Sequence, residues 1–370
     1  MARHPDVCVV GGGIVGCAAA YRLAREGLSV VLLERGEIGR EASWAAGGIL
    51  TPVHLAEYPT PLASLCAAGM KLIEPWVQEL RPLSSLDPEF RVSGMLVAFM
   101  EDTGEASVRG LEEWKRRNGQ PVERLSREET LAREPRLSPA VRGSILLPDI
   151  AQLRNHRFTA AIAEAAARRG VEIRRQTPAI GFLRVPGRVN GVKTPHGDVY
   201  AGATVLAAGA WSAELARAVG LDLAVKPIRG QILLAEGPAD FCRHIVLESG
   251  TYFVPRADGR LLVGSTVEDA GFDRNVTLEG VRTLSGRAAE IIPESPKLPF
   301  VKAWAGLRPA TPDRLPFLGR AGIEGLVLAT GHFRNGILLG PITAEIVADL
   351  VQGRPSSVAL DPFDPLRKFA

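Results

Sequence analysis

The sequence predicts an α/β protein in which a doubly wound, Rossmann-like domain is interleaved with a second, antiparallel-sheet α+β domain. Three observations carry this expectation. An N-terminal β-α-β unit runs from Asp6 to Glu34 around a glycine-rich turn. Residues 228–235, 251–256 and 260–265 read as strands of a different layer, with Ala257-Asp258-Gly259 as a hairpin turn. The final third then returns to the first layer, through a buried strand at Leu326 to Ala329 and a helix at Leu338 to Val351 that ends near Gly353. A chain of 370 residues has room for two domains. No linker rich in Pro, Gly and Ser separates them, so they interleave rather than follow one another.

The N-terminal unit is the most specific of these signals. Asp6 to Val10 reads as a buried strand, Cys17 to Glu26 as a helix stopped by Gly27, and Leu28 to Leu33 as the next strand. Between them stands G-x-G-x-x-G at Gly11, Gly13 and Gly16. The first glycine makes the tight turn, the second admits a pyrophosphate close to the backbone, and the third lets helix and strand pack. The helix N-terminus offers free N–H groups and a partial positive charge to that phosphate. Glu34, 18 residues after Gly16, is placed to accept hydrogen bonds from a ribose and would repel the extra phosphate of NADP. FAD and NAD share this fingerprint. The small-residue run from Gly39 to Leu50, which would let a loop lie flat on a large planar group, favours FAD. So does the strand Ala203 to Ala208 ending in Gly209.

Elsewhere residues 62–80, 107–118 and 154–169 have helical spacing, and 91–99, 143–147 and 171–175 read as strands. Pro255 suggests an edge position or a bulge. A net charge of +3, with no basic stripe, gives no support to nucleic-acid binding. The apolar residues 7–20 outline a signal peptide, but their three consecutive glycines weaken any helix there. No run reaches the ~18 apolar residues of a membrane span. Cys8, Cys17, Cys66 and Cys242 are too few and scattered for a disulfide framework, which points to a reducing, cytoplasmic compartment. No pair of histidines has metal-ligand spacing, so no metal is expected.

Two arginines stand in apolar company, in Trp304-Ala305-Gly306-Leu307-Arg308-Pro309 and in Gly331-His332-Phe333-Arg334-Asn335-Gly336-Ile337-Leu338-Leu339. A buried arginine needs a partner. That partner is either a protein carboxylate or the carboxylate of a ligand, gripped by the guanidinium fork.

The blocks VVGGGIVG, ASWAAGG, YFVPRADGRLLVGST, WAGLRPATPDRLPFLG and GHFRNGILLGP span nearly the whole chain. Through them it resembles the D-amino-acid oxidase (DAO) family of FAD-dependent oxidoreductases, most closely the glycine oxidases of thiamine biosynthesis. The resemblance implies that Arg308 holds the substrate carboxylate, with Tyr252 beside it and Arg334 a second pocket arginine. For non-covalent FAD it points to Ile14, Val15, Glu34, Arg35, Glu41, Ala42, Ser43, Ala46, Gly47 and Gly48. Ala179 would lie near the adenine, and His332, Phe333, Arg334, Asn335, Gly336, Ile337 and Leu338 would cover the flavin ring. No cysteine follows Cys242 to attach the flavin where related sarcosine oxidases do. Trp44, where smaller residues are usual, is expected to narrow access near the cofactor.

The domain division so implied is 1–84, 141–220 and 301–370 for FAD binding and 85–140 and 221–300 for substrate binding. The activity implied is oxidative deamination of glycine, and of sarcosine or small D-amino acids, by hydride transfer to the flavin. Its products would be glyoxylate, ammonia and hydrogen peroxide, with the imine supplying the thiazole of thiamine. A D-amino-acid or sarcosine-type oxidase or dehydrogenase is the alternative. Molecular oxygen and a small amino acid would be the partners, and a homotetramer the assembly.

Overall fold

A computed structural model of the chain describes residues 4–51 and 60–369; the rest of the expected 1–84 and 301–370 stretches lies outside them. Two large sheets organise the molecule. The first has six strands, in the order Phe317–Arg320, Leu326–Thr330, Ala203–Leu206, Val7–Val10, Val30–Leu33 and Glu172–Arg174. All neighbours are parallel except the first pair. Val7–Val10 and Val30–Leu33 are buried along their whole length, as strands covered on both faces must be. The helices Ile14–Arg25, Asn155–Arg168 and Gly336–Gln352 pack together on one face of this layer. The last is apolar on nearly every side because it is buried on nearly every side, and it stops at Gly353 in a left-handed conformation. Among the described residues no helix is long and apolar enough to cross a membrane.

The second sheet has eight strands, in the order Phe300–Ala310, Lys226–Glu236, Arg260–Gly264, Thr251–Pro255, Ile245–Glu248, Met95–Phe99, Gly143–Leu147 and Glu123–Leu125. It departs from expectation in three ways. It is not wholly antiparallel, since Ile245–Glu248 runs parallel to Met95–Phe99. Gly143–Leu147 and residues 301–310 of the strand Phe300–Ala310, placed with the nucleotide side in the expected division, hydrogen-bond in this sheet. Their apolar runs suit either layer, and only long-range pairing decides between them. Pro255 lies in an interior strand, not at an edge. It pairs with Leu261 on one side and extends past the residues paired with Ile245–Glu248 on the other, so its missing N–H costs no ladder bond there.

Some elements lie outside the sequence expectation. The 91–99 strand is two pieces, Arg91–Val92 and Met95–Phe99, broken at Gly94. Helix Arg127–Arg133 carries a capping box of Ser126 and Glu129, a signature present in the sequence but attached to only seven residues. Helix Leu278–Ile291, capped by Thr277, covers the outer face of the eight-stranded sheet through Leu284, Ala288 and Ile291. A small antiparallel sheet of Gly181–Val185, Arg188–Lys193 and Val199–Tyr200 sits beside the nucleotide layer. The two layers are tied by short strands: Ile49–Leu50 and Arg91–Val92 both pair with Ala151–Gln152.

Candidate active site

A single continuous cavity of about 680 Å³ runs between the two sheets, at the carboxyl ends of the parallel strands. That is the size of a site for a large ligand, in the place where doubly wound folds bind nucleotides. It begins at Glu34 and Pro178 and ends at Tyr252 and Arg308.

At the first end the backbone shapes the wall. A Cβ on Gly11 would lie 2.5 Å from the Ala207 carbonyl oxygen, and one on Gly16 would overlap the Gly11 carbonyl, so strand, turn and helix approach this closely only with glycine at both positions. Gly11, Gly13, Ile14 and Val15 line the cavity, whereas Gly16 does not and acts in the helix–strand contact. The Glu34 carboxylate is buried and accepts hydrogen bonds from Gly12 N at 2.7 Å and Gly36 N at 2.8 Å. It therefore braces the turn from within as well as facing the cavity. Ser43 Oγ accepts from Ile14 N at 2.9 Å, capping the helix end where a pyrophosphate is expected.

Arg35 and Glu41 pair at 2.8 Å, and Arg35 lies 3.5 Å over the Trp211 ring. Arg274, from the far side, also binds Glu41 at 2.8 Å. Nothing local in the sequence marks these contacts of Trp211 and Arg274. Ala42, Ser43, Ala46, Gly47, Gly48, Ala179 and Gly209 all line the cavity, as do His332, Phe333, Arg334, Asn335, Gly336 and Ile337. Leu338 is buried within its helix behind them and does not. Trp44 does not narrow the cavity either. The short helix Ala42–Ala45 turns it outward, where it packs against Trp304 at 5.3 Å, with Lys302 4.9 Å over its ring.

At the second end side chains dominate. Arg308 lies on Phe300–Ala310, and its guanidinium donates to Ser265 Oγ at 2.7 Å and to the carbonyl of Thr266 at 3.1 Å. It rests over Gly230, where any Cβ would overlap it. Among the described residues no carboxylate pairs with it. Burial, first, and the Arg334 charge lower its pKa from the ordinary arginine value, while Tyr252 and Glu268 work the other way. The Tyr252 ring is seated by two more glycines: a Cβ on Gly264 would come 2.6 Å from its hydroxyl and one on Gly47 3.1 Å. Arg334 is exposed at the cavity mouth, against Phe333.

The wall between these groups is a two-residue hairpin turn, Ser249-Gly250, both at positive φ, joining Ile245–Glu248 to Thr251–Pro255. Gly250, Leu247 and Ile232 complete the lining. His332, buried, shares a hydrogen bond of 2.9 Å between its Nε2 and Thr343 Oγ1, and burial lowers its pKa to about 4. It is a neutral structural group.

The cradle fits a flavin dinucleotide: a glycine-lined turn with a ribose-side acid at one end, small residues along one wall, and at the other an arginine that no described carboxylate pairs with. Comparison with known proteins agrees. Residues 6–350 match the family DAO, FAD dependent oxidoreductase. The chain is 38% identical over 361 residues to a glycine oxidase of Pseudomonas aeruginosa, covering 97% of this chain and 98% of that one. It is 34% identical over 375 residues to the bifunctional protein ThiO/ThiG of a Synechocystis species, covering 99% of this chain and 54% of that one. Its fold matches the crystal structure of glycine oxidase from Geobacillus kaustophilus with a TM-score of 0.94 at 34% identity, over 100% of both chains. The chain belongs to the DAO family of FAD-dependent oxidoreductases.

Proposed function

We propose that the enzyme oxidises glycine with water and molecular oxygen to glyoxylate, ammonia and hydrogen peroxide. One observation carries this reading: Arg308 is a half-buried guanidinium at the end of the cofactor cavity, and among the described residues no carboxylate pairs with it. Such a group is completed by a small carboxylate ligand, and its fork fixes that ligand's direction as well as its affinity. Arg308 and Tyr252 would hold the carboxylate so that the α-carbon faces the cofactor space. FAD, when bound, takes the hydride and passes the electrons to oxygen. The protein's part is positioning, worth on the order of 7–11 kcal/mol of barrier when the reacting atoms are well aligned. No proton-abstracting side chain is required for this. His332, the histidine of the cavity wall, is held to Thr343.

The match to a bifunctional ThiO/ThiG protein supports a role for the imine in building the thiazole of thiamine. The four buried, unpaired cysteines support a cytoplasmic setting, and the family resemblance supports a homotetramer, to be read by sedimentation. The experiment is anaerobic reduction of the bound flavin by glycine, sarcosine and D-alanine in parallel, followed by peroxide detection on admitting air. Glycine should bleach the flavin and yield peroxide. Bleaching by sarcosine or D-alanine but not glycine would overturn the substrate, and turnover without peroxide would make the enzyme a dehydrogenase.

A further inference from the structure

The wall segment from Ser43 to Gly48 is held from behind by side chains that the proposed reaction does not use. Asn155 Nδ2 donates to the carbonyls of Ser43 at 2.6 Å and Trp44 at 2.9 Å. Trp304 Nε1 donates to the carbonyl of Ala45 at 3.1 Å, and Arg256 Nη2 to that of Gly47 at 2.8 Å. Four carbonyls are thus drawn out of the cavity. A trans peptide is planar, so turning the Gly47 carbonyl toward Arg256 turns the Gly48 N–H the opposite way, toward the cavity that both glycines line.

Arg256 differs from the other two side chains in being charged. It is only 6% exposed, and its Nη1 donates to Gln152 Oε1 at 2.9 Å and to the Leu153 carbonyl at 3.0 Å. Among the described residues all of its acceptors are neutral. The acids nearby are spoken for: Glu89 and Asp258 both pair with Arg154 at 2.7 Å. Burial, then the charges of Arg154 and Arg91, push its pKa down to about 9. Retaining a cation at that cost, within one hydrogen bond of the cofactor wall, calls for a return on the same wall.

We propose that Arg256 is a positioning residue of the cofactor site: it presents the Gly48 N–H to the cavity, and its unpaired charge stabilises the electron-rich, reduced form of bound FAD. Gly47 also abuts Tyr252, so this wall belongs to the substrate end, where the redox-active part of the cofactor has to lie. The inference rests on FAD binding and holds whichever amine is the substrate.

The test is the reduction potential of FAD in the holoenzyme, measured against a reference dye. Gln152→Glu keeps every acceptor of Arg256 and pairs its charge in place. It should shift the ratio of oxidised to reduced FAD at a fixed dye poise about tenfold toward oxidised. Arg256→Met should shift it further and weaken FAD binding on the order of tenfold or more, with Arg256→Lys between the two. Should Arg256→Met fail to hold FAD, Gln152→Glu and Arg256→Lys decide. Potentials unchanged in Gln152→Glu and in whichever Arg256 variant retains FAD, with only the melting temperature lowered, would overturn the proposal and leave Arg256 a purely structural residue.

Discussion

Arg229 and Arg308 stand one position out of step on paired strands, and the two faces of that strand pair treat them oppositely. The register sets Arg229 against Leu307 and Ile228 against Arg308, so alternation along the strands sends the two guanidinium groups to opposite faces. Arg229 goes to the face under helix Leu278–Ile291 and pairs there with both Glu268 and Asp273. Gln231 joins the same cluster, bonding Glu268 at 2.8 Å and Thr277 at 3.0 Å. Arg308 goes to the cavity face, over Gly230, and meets only a hydroxyl and carbonyls. One residue type therefore does two jobs. With its carboxylates supplied by the chain it fastens a loop to the sheet. With none supplied it waits for an anion from outside.

Changing each arginine tests the contrast, and the largest effect belongs to Arg308. Arg308→Met should weaken glycine binding by about 2–5 kcal/mol, roughly thirtyfold to several thousandfold, with FAD retained. It should not lower the melting temperature, because the side chain lost is a half-buried cation that no described carboxylate pairs with. Flavin-reduction titration and thermal melts measure the two halves, and a destabilised variant that still binds glycine normally would reverse the assignment. Arg229→Met should do the opposite, costing on the order of 3 kcal/mol of stability by stranding Glu268. Denaturant unfolding reads that loss, while the glycine titration should stay within about threefold of the parent.

Gly230→Ala sharpens the point from the neighbouring strand. Its Cβ enters the space of the Arg308 guanidinium, so the substrate constant should weaken roughly tenfold, a cost of about 1–3 kcal/mol for overpacking, with FAD affinity unchanged. The smallest effect concerns His332, a buried neutral group of the cavity wall. Its pKa falls from 6.5 to about 4 on folding, so the unfolded chain takes up the proton first as the solution is acidified. Its contribution to stability is complete above about pH 6.5 and declines as the pH falls toward 4. His332→Gln should flatten that part of the stability–pH curve, and an unchanged slope would show that other groups set it.

The same contrast explains what the sequence discloses. Gly11, Gly13, Gly16 and Glu34 act within one β-α-β unit, so their spacing alone declares them. Arg308 is visible as a charge in apolar company. What holds it is not, because Gly230, Ser265 and Thr266 reach it only through the pairing of strands far apart in the chain. Arg256 sits in a segment that resembles the family, yet its grip on Gly47 spans 209 positions and leaves no local pattern. Sheet membership is hidden for the same reason, since the layer that Gly143–Leu147 and Phe300–Ala310 join is a matter of partner and not of composition. Trp44 misleads because the period of a four-residue helix is too short to show which side faces out.

The four cysteines acquire a meaning from the proposed product. All are buried, and burial pushes the thiols of Cys8, Cys17 and Cys66 up to about 12 and raises that of Cys242 as well. Peroxide attacks the thiolate, and attack also requires access. A catalyst that releases an oxidant at every turnover is here built with its thiols protonated and out of reach, so thiol oxidation does not set its working lifetime.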